Sequence, residues 1–306
     1  MKNTIENKLV KRLLAILLLM ILGATLANAQ SLRLIEEKSF SVKDWDNVYV
    51  NASGADVKVE SWDKQETYVK ISGNRRAEEK LEISIEQDGN TVRAIAKKRG
   101  SFFNWFGSGI SVRIEIKTPK NQNVHVETSG GDIKIAYVNG VFKLDTSGGD
   151  ITLNNTSGKL NAETSGGDIN LNTHKGEMIL DTSGGDIICK NTNGDLSADT
   201  SGGDINLYTA DGRVKAETSG GGIFIDYTGV NKGIEASTSG GDVHVKLPRD
   251  FQAKVHLETT GGSIDNNFDN ANTRRVRHGE LNAEFNGGGN TLRLETTGGD
   301  ITIDQK

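Results

Sequence analysis

Glycine occupies positions 131, 140, 149, 158, 167, 176, 185, 194, 203, 212 and 221, every ninth residue eleven times in succession. Two and four places after each of them the residue is apolar without exception, from Ile133 and Ile135 through Leu160 and Ala162 to Ile223 and Ile225. Apolar residues two apart are the period of a strand with one buried face. Each unit therefore reads as a turn ending in glycine followed by a strand of about five residues. A strand that short cannot bury its apolar side alone, so the units must stack. Thr-Ser-Gly-Gly begins at Thr128, Thr146, Thr164, Thr182, Thr200 and Thr218, a spacing of 18, and returns at Thr238; Thr-Thr-Gly-Gly begins at Thr259 and Thr296. Two nine-residue units thus make one coil, and successive coils should rise by about 4.8 Å, the distance between hydrogen-bonded strands. The expected fold is all-β: a flattened parallel β-solenoid with 18-residue coils of two short strands, a right-handed β-helix if it follows the usual hand of parallel crossovers.

The strands after Thr-Ser-Gly-Gly carry large pairs such as Ile169 and Leu171, and several opposing strands carry large and small pairs such as Val214 and Ala216. Large against small fills a thin core without voids. The glycines are expected at turn positions that need positive φ or close backbone approach. After Gly221 the coils lengthen, and 37 residues separate Thr259 from Thr296, with an irregular excursion over 266–278. Ser53-Gly54-Ala55-Asp56-Val57-Lys58-Val59 resembles the later unit at Ser129, so 30–120 should supply the first coils and a β cap. Both ends of a solenoid expose strand edges that would template aggregation. The polar end Asp304-Gln305-Lys306 is expected to help block the last one.

Composition narrows the class further. Thirty-seven glycines among 306 residues disfavour a helical globule, and two prolines exclude collagen. A net charge of −5 carries no nucleic-acid footprint, and a single cysteine allows no internal disulfide. Lys2, Lys8, Lys11 and Arg12 precede a wholly apolar run over 13–22, and Ala27-Asn28-Ala29 supplies the small residues a signal peptidase reads. Residues 1–29 are thus expected to be a signal peptide cleaved before Gln30. They hold four bases and one acid, so their removal takes the net charge from −5 to −8. The mature chain has no second hydrophobic span, and periplasm, outer surface and secretion all fit an exported protein. The expected organisation is a first segment over 30–120, a regular solenoid over 121–265 and irregular C-terminal coils over 266–306.

The conspicuous chemistry is acidic. Asp132, Asp150, Asp168, Asp186 and Asp204 follow the glycine pair in consecutive coils, and Glu127, Asp145, Glu163, Asp181, Asp199 and Glu217 precede the turn. In a regular stack each set becomes a column. One reading is cation binding, since calcium takes six to eight oxygens. The pattern departs from the calcium β-roll nonapeptide, because aspartate directly follows the second glycine and only in alternate units. The other reading is that the carboxylates accept hydrogen bonds from turn amides and hydroxyls. No cofactor is expected unless calcium binds there.

Phe102, Phe103, Trp105 and Phe106 form an aromatic run that reads either as a lid on the first coil or as a contact site for a partner or lipid surface. His125, His174, His244, His256 and His278 show no metal-ligand spacing and are expected at solvent-facing strand positions. Cys189 falls in an inward column and should be a buried thiol. Arg274, Arg275 and Arg277 are expected in a solvated loop, with an acidic glycan or a neighbouring chain as the other reading.

The repeated Glu/Asp-Thr-Ser-Gly-Gly-Asp-Ile units, behind a signal peptide and a segment with Phe40-Ser41-Val42 and Val48-Tyr49-Val50, resemble the bacterial putative-adhesin domain of unknown function, whose members are taken to be right-handed β-helices. The resemblance spans about 31–306 and is strongest over 121–265. It implies a surface or envelope interaction role and brings no catalytic residues. The leading expectation is a non-enzymatic envelope protein presenting a regular polar face to glycans, to other proteins or to itself. A polysaccharide-acting β-helix enzyme is the alternative, with room for a site only at 99–110 and 266–290, since the turns between are short and nearly identical. A calcium-stabilised roll is the third reading.

Overall fold

The computed structural model describes residues 32–99, 109–269, 271–277 and 279–306. All 26 described strands join one hydrogen-bonded sheet that doubles back on itself, the strand Ile151–Thr164 running through both of its faces. On one face Ile151, Ile169, Ile187, Ile205 and Ile223 stack in parallel register, each paired with the residue 18 positions on. On the other, Leu160, Met178, Leu196 and Val214 do the same. Leu153, Leu171 and Leu207 share one environment, each at most 1% exposed, in a core that runs the length of the stack. Each inward side chain seals the one below it, which no single coil could do.

The turns are stitched by the repeat motif itself. The threonine that opens each Thr-Ser-Gly-Gly is buried. The Thr164 hydroxyl donates to Gly149 O one coil below (3.0 Å) and accepts from Gly167 N in its own turn (3.3 Å). Thr146, Thr182, Thr200 and Thr218 repeat both bonds, so the turn leaves neither of those backbone groups unpaired. The second glycine of the motif is required by space: a Cβ on Gly167 would lie 2.0 Å from Gly149 O. At the opposite turn the requirement is conformational, with Gly176 at φ 137°.

The ends of the stack depart from sequence order. The strand Asn47–Ala52 lies between Thr91–Lys98 and Asn123–Thr128, and Ala55–Ser61 lies between Val112–Thr118 and Ile133–Ala136. The first coil is therefore second in the stack. Ser53–Val59, which resembles the later repeat, packs directly on it, with Val57 opposite Ile133. At the other end Thr291–Thr296 inserts between Ile234–Thr238 and Ala253–Thr259, and Ile301–Gln305 between Val243–Leu247 and Ile264–Asn267. This overturns the expectation that Asp304-Gln305-Lys306 blocks the last edge: the final strand is interior, and Ile264–Asn267 lies beyond it.

Antiparallel strands flank both ends. Glu66–Gly73 pairs with Val112–Thr118 and Arg33–Ser41 with Glu66–Gly73, while Leu81–Asp88 pairs with Thr91–Lys98. The short helix Arg75–Lys80 joins two of them, its N-terminus capped by the Asn74 side chain accepting from Ala77 N (3.0 Å). At the far end Glu280–Phe285 pairs with Ala253–Thr259, and Ala271–Arg277 pairs in turn with Glu280–Phe285. Arg274, Arg275 and Arg277 thus lie on a strand rather than in the expected loop.

Candidate functional site

The two acidic columns differ in what their oxygens do. Asp150 Oδ1 accepts from Asp168 N (2.9 Å), Asp168 Oδ1 from Asp186 N (2.8 Å), and Asp186 Oδ1 from Asp204 N (2.8 Å). Asp56 Oδ1 opens the run by accepting from Asp132 N (3.4 Å), Asp132 Oδ1 accepts from Asp150 N (3.2 Å), and Asp204 ends it on Gly222 N. One oxygen of each carboxylate is committed to the amide of the coil above. Asp132 is held below the usual carboxylate range, first by its bond to Lys134, with burial opposing and the Asp150 amide assisting. The acids before the turn, Glu127, Asp145, Glu163, Asp181, Asp199 and Glu217, lie side by side in register. Along the column each acid stands next to another, although Glu127, Glu163 and Glu217 also meet Asn51, Asn161 and Lys215. Asp199 is pushed above its ordinary range by burial, then by the charges of Asp181 and Glu217, with Lys215 opposing. Phe102, Phe103, Trp105 and Phe106 lie outside the described residues.

The histidines separate by environment. His174 corrects the expectation of solvent-facing positions: it is fully buried near the end of the strand Ile169–Lys175, with Nδ1 2.9 Å from Thr156 Oγ1 and Nε2 3.2 Å from Gly158 O. The 18-residue register puts it in line with Thr156 and Thr192, which point inward there, and burial holds its imidazole below the ordinary histidine value. His244 lies against Asp304 (2.8 Å) and Phe224 on an outer face. His256 sits beside Glu258 and Glu295, and His278 is outside the described residues. Cys189 is buried, which drives its thiol pKa well up.

A groove of about 700 Å³ crosses the outer face of four neighbouring strands near the N-terminal end. Register places Arg93, Tyr49, His125 and Lys143 in one row across it. The Tyr49 ring meets His125 edge-on, with centroids 5.0 Å apart, and the Arg93 guanidinium lies 5.2 Å from the ring centroid. Asn51 Nδ2 donates to the Tyr49 hydroxyl (2.8 Å) and to Glu127 (2.6 Å), fixing the ring along the surface. Asn47 and Asn123 line the adjoining row, and Asn123 Nδ2 donates to Trp45 O (2.9 Å), which anchors a loop whose indole is 56% exposed. The groove offers a ring, amides and cations on rigid strands, the mix of apolar surface and few directed polar groups found in ligand sites.

The profile of the Toastrack DUF4097 family matches residues 45–304. The chain belongs to that family. No curated protein matches it. Among solved structures, this Toastrack chain is similar to a putative adhesin from Bacteroides fragilis NCTC 9343, at 15% identity and TM-score 0.41, over 90% of this chain and 99% of that one. It is also similar to a putative adhesin from Parabacteroides merdae ATCC 43184, at 13% identity and TM-score 0.44, over 89% and 95% of the two chains. A third likeness is to a putative lipid binding protein from Parabacteroides distasonis ATCC 8503, at 14% identity and TM-score 0.33, over 88% and 96%. Likeness at that level says nothing about what the Toastrack chain binds. Among its described residues no helix is long and apolar enough to cross a membrane. The groove escapes a reading of the sequence because Arg93 and His125 meet Tyr49 only through the out-of-order first coil. The one signal available was the likeness of the segment at Ser53 to the later repeats.

Proposed function

We propose that the protein is an exported, non-enzymatic envelope or surface scaffold whose solenoid binds an acidic glycan in the groove over Arg93, Tyr49, His125 and Lys143. The observation that carries this reading is the row itself. A cation stands at each end, about 14 Å apart for three strand spacings, with an aromatic ring between them. Sugars present flat apolar faces to such a ring and hydroxyls to amides, and the cations select for carboxylate or sulfate. In this reading residues 1–29 are a cleaved signal peptide, the solenoid is right-handed with 18-residue coils, 30–120 supplies the first coils and a β cap, and 266–306 supplies the irregular C-terminal coils. The nearly identical short turns between 128 and 221 favour presentation over catalysis. Binding of the full chain to acidic and neutral polysaccharides tests the proposal. Acidic polymers should be retained, and Arg93→Ala with Lys143→Ala should weaken retention at least about tenfold, Tyr49→Ala somewhat less. Equal binding by the double variant, or no preference over a neutral polymer, would overturn it.

A further inference from the structure

We infer that His256, Glu258 and Glu295 form a site for a divalent first-row transition ion of the zinc class, which clasps the strand Ala253–Thr259 to the inserted strand Thr291–Thr296. The three side chains come from two neighbouring parallel strands on which Glu258 stands directly opposite Glu295. Their ligand atoms all lie within 4.8 Å of one another. His256 Nε2 is 3.5 Å from Glu258 Oε2 and 3.9 Å from Glu295 Oε1, too long for good hydrogen bonds. In a tetrahedral zinc site with bonds near 2.1 Å, ligand atoms stand about 3.4 Å apart, close to the spacing already present.

The imidazole is set by a group outside the cluster. Its Nδ1 lies 2.9 Å from Asn282 Oδ1, on the antiparallel strand Glu280–Phe285. The Asn282 amide is itself oriented, because its Nδ2 donates to Glu280 (2.8 Å). The network therefore assigns the proton to Nδ1 and leaves the Nε2 lone pair facing two carboxylates. A histidine whose second nitrogen donates to a fixed oxygen is the usual outer arrangement of a metal ligand. Arg293 contacts Glu295 and competes with an ion for it. Glu258 and Glu295 face one another across the strand pair, so a divalent ion bridging them would relieve the repulsion between two carboxylates. The histidine and Glu295 are half-buried and Glu258 is exposed, so an ion can enter from solvent and keep a water as its fourth ligand. One imidazole with two carboxylates suits zinc or manganese better than calcium, which needs more oxygens.

The site exists only because the last coil is inserted out of order, and it ties residues 37 positions apart. It is independent of the groove and of any glycan. Zinc titration of the chelator-treated full chain by calorimetry, with thermal melting, tests the inference. One ion should bind per chain with Kd of about 10 µM or tighter and raise the melting temperature. His256→Gln and Glu295→Gln should weaken binding at least about tenfold and abolish the shift in melting, while Arg293→Gln should tighten binding. Cobalt should give visible absorption bands that His256→Gln loses. If His256→Gln does not fold, the exposed Glu258→Gln serves in its place. Unchanged zinc affinity in folded His256→Gln or Glu258→Gln, or no binding up to about 1 mM, would overturn the inference.

Discussion

From Asn139 to Leu247 each coil rests on the one that precedes it in sequence, whereas at both ends a coil slides between two others. The bonds are the same in both regions. In the inserted coil Thr296 donates to Gly241 O (2.8 Å) and Asp300 N donates to Asp242 Oδ1 (2.8 Å), as their counterparts do in the middle. Identical bonding means that the repeat motif makes coils interchangeable and leaves their order to the connections. Between regular coils the turns have no slack, so the next coil has one place to go. The longer paths from Ser61 to Thr91 and from Asn267 to Thr291 let the chain return past a neighbour. The outermost coil at the C-terminal end is also the one with Ser263 in place of aspartate. Its amide donates to the Asp300 carboxylate (2.6 Å), and serine offers no carboxylate onward. That bond and its hydroxyl partner hold Asp300 below the usual carboxylate range.

Cutting coils out of the two regions should break the comparison most severely. Deleting 165–182 removes one whole period and should leave a single cooperative transition, since each coil contacts only its neighbours. Deleting 290–306 removes a coil from between two others. It should strip amide-exchange protection from 253–267 and from the antiparallel strands resting there, read by hydrogen exchange. Equal cooperativity in the two deletions would show that insertion is incidental to the end.

Next in size is a contrast within one turn. Gly167→Ala forces a Cβ onto a backbone oxygen and should cost about 3 kcal/mol or more, whereas Gly166→Ala, whose nearest neighbour would be 3.7 Å away, should cost roughly 0.5 kcal/mol or less in urea unfolding. Similar costs would refute close stacking of the coils.

The buried His174 should give the middle of the stack a pH dependence of its own. Burial lowers its folded pKa, so the unfolded chain takes the proton first. Its contribution is fully present above the ordinary value of about 6.5 and is lost as pH falls below it. His174→Thr, which matches Thr156 and Thr192 in the same column, should lower stability at pH 7.5 and flatten the decline in melting temperature towards pH 5.5. A slope equal to that of the parent would remove the assignment.

The smallest effect separates the two acidic columns. Asp168→Ala strands the Asp186 amide and should cost about 1–2 kcal/mol. Asp199→Asn relieves repulsion from Asp181 and Glu217 and should raise the melting temperature by about 1 °C, a gain that fades in high salt. Destabilisation by both would make the columns equivalent.

The middle of the molecule was legible because its contacts are between residues 18 apart, and every strand repeats the same alternation. The buried core at Leu153, Leu171 and Leu207 and the glycines at the turns follow from that period. His174 faces inward, against the alternation, because Thr173 just before it takes φ 67° and reverses the side-chain order beyond Ile169 and Leu171. The groove and the His256 cluster were invisible for a different reason. Each joins side chains that meet only once a coil is inserted, Tyr49 with Arg93 and His125 in one case, His256 with Glu295 in the other.

By itself the amino-acid order settled that this chain is a stack of short parallel strands, because a nine-residue unit with two inward apolar residues has no other way to leave water. Tertiary structure alone decided which coil lies on which at the ends. Threonine, glycine and aspartate bond equally well to any neighbouring coil that repeats them, so only the length of the connections and the serine that stands for aspartate in the outermost coil distinguish one order from another.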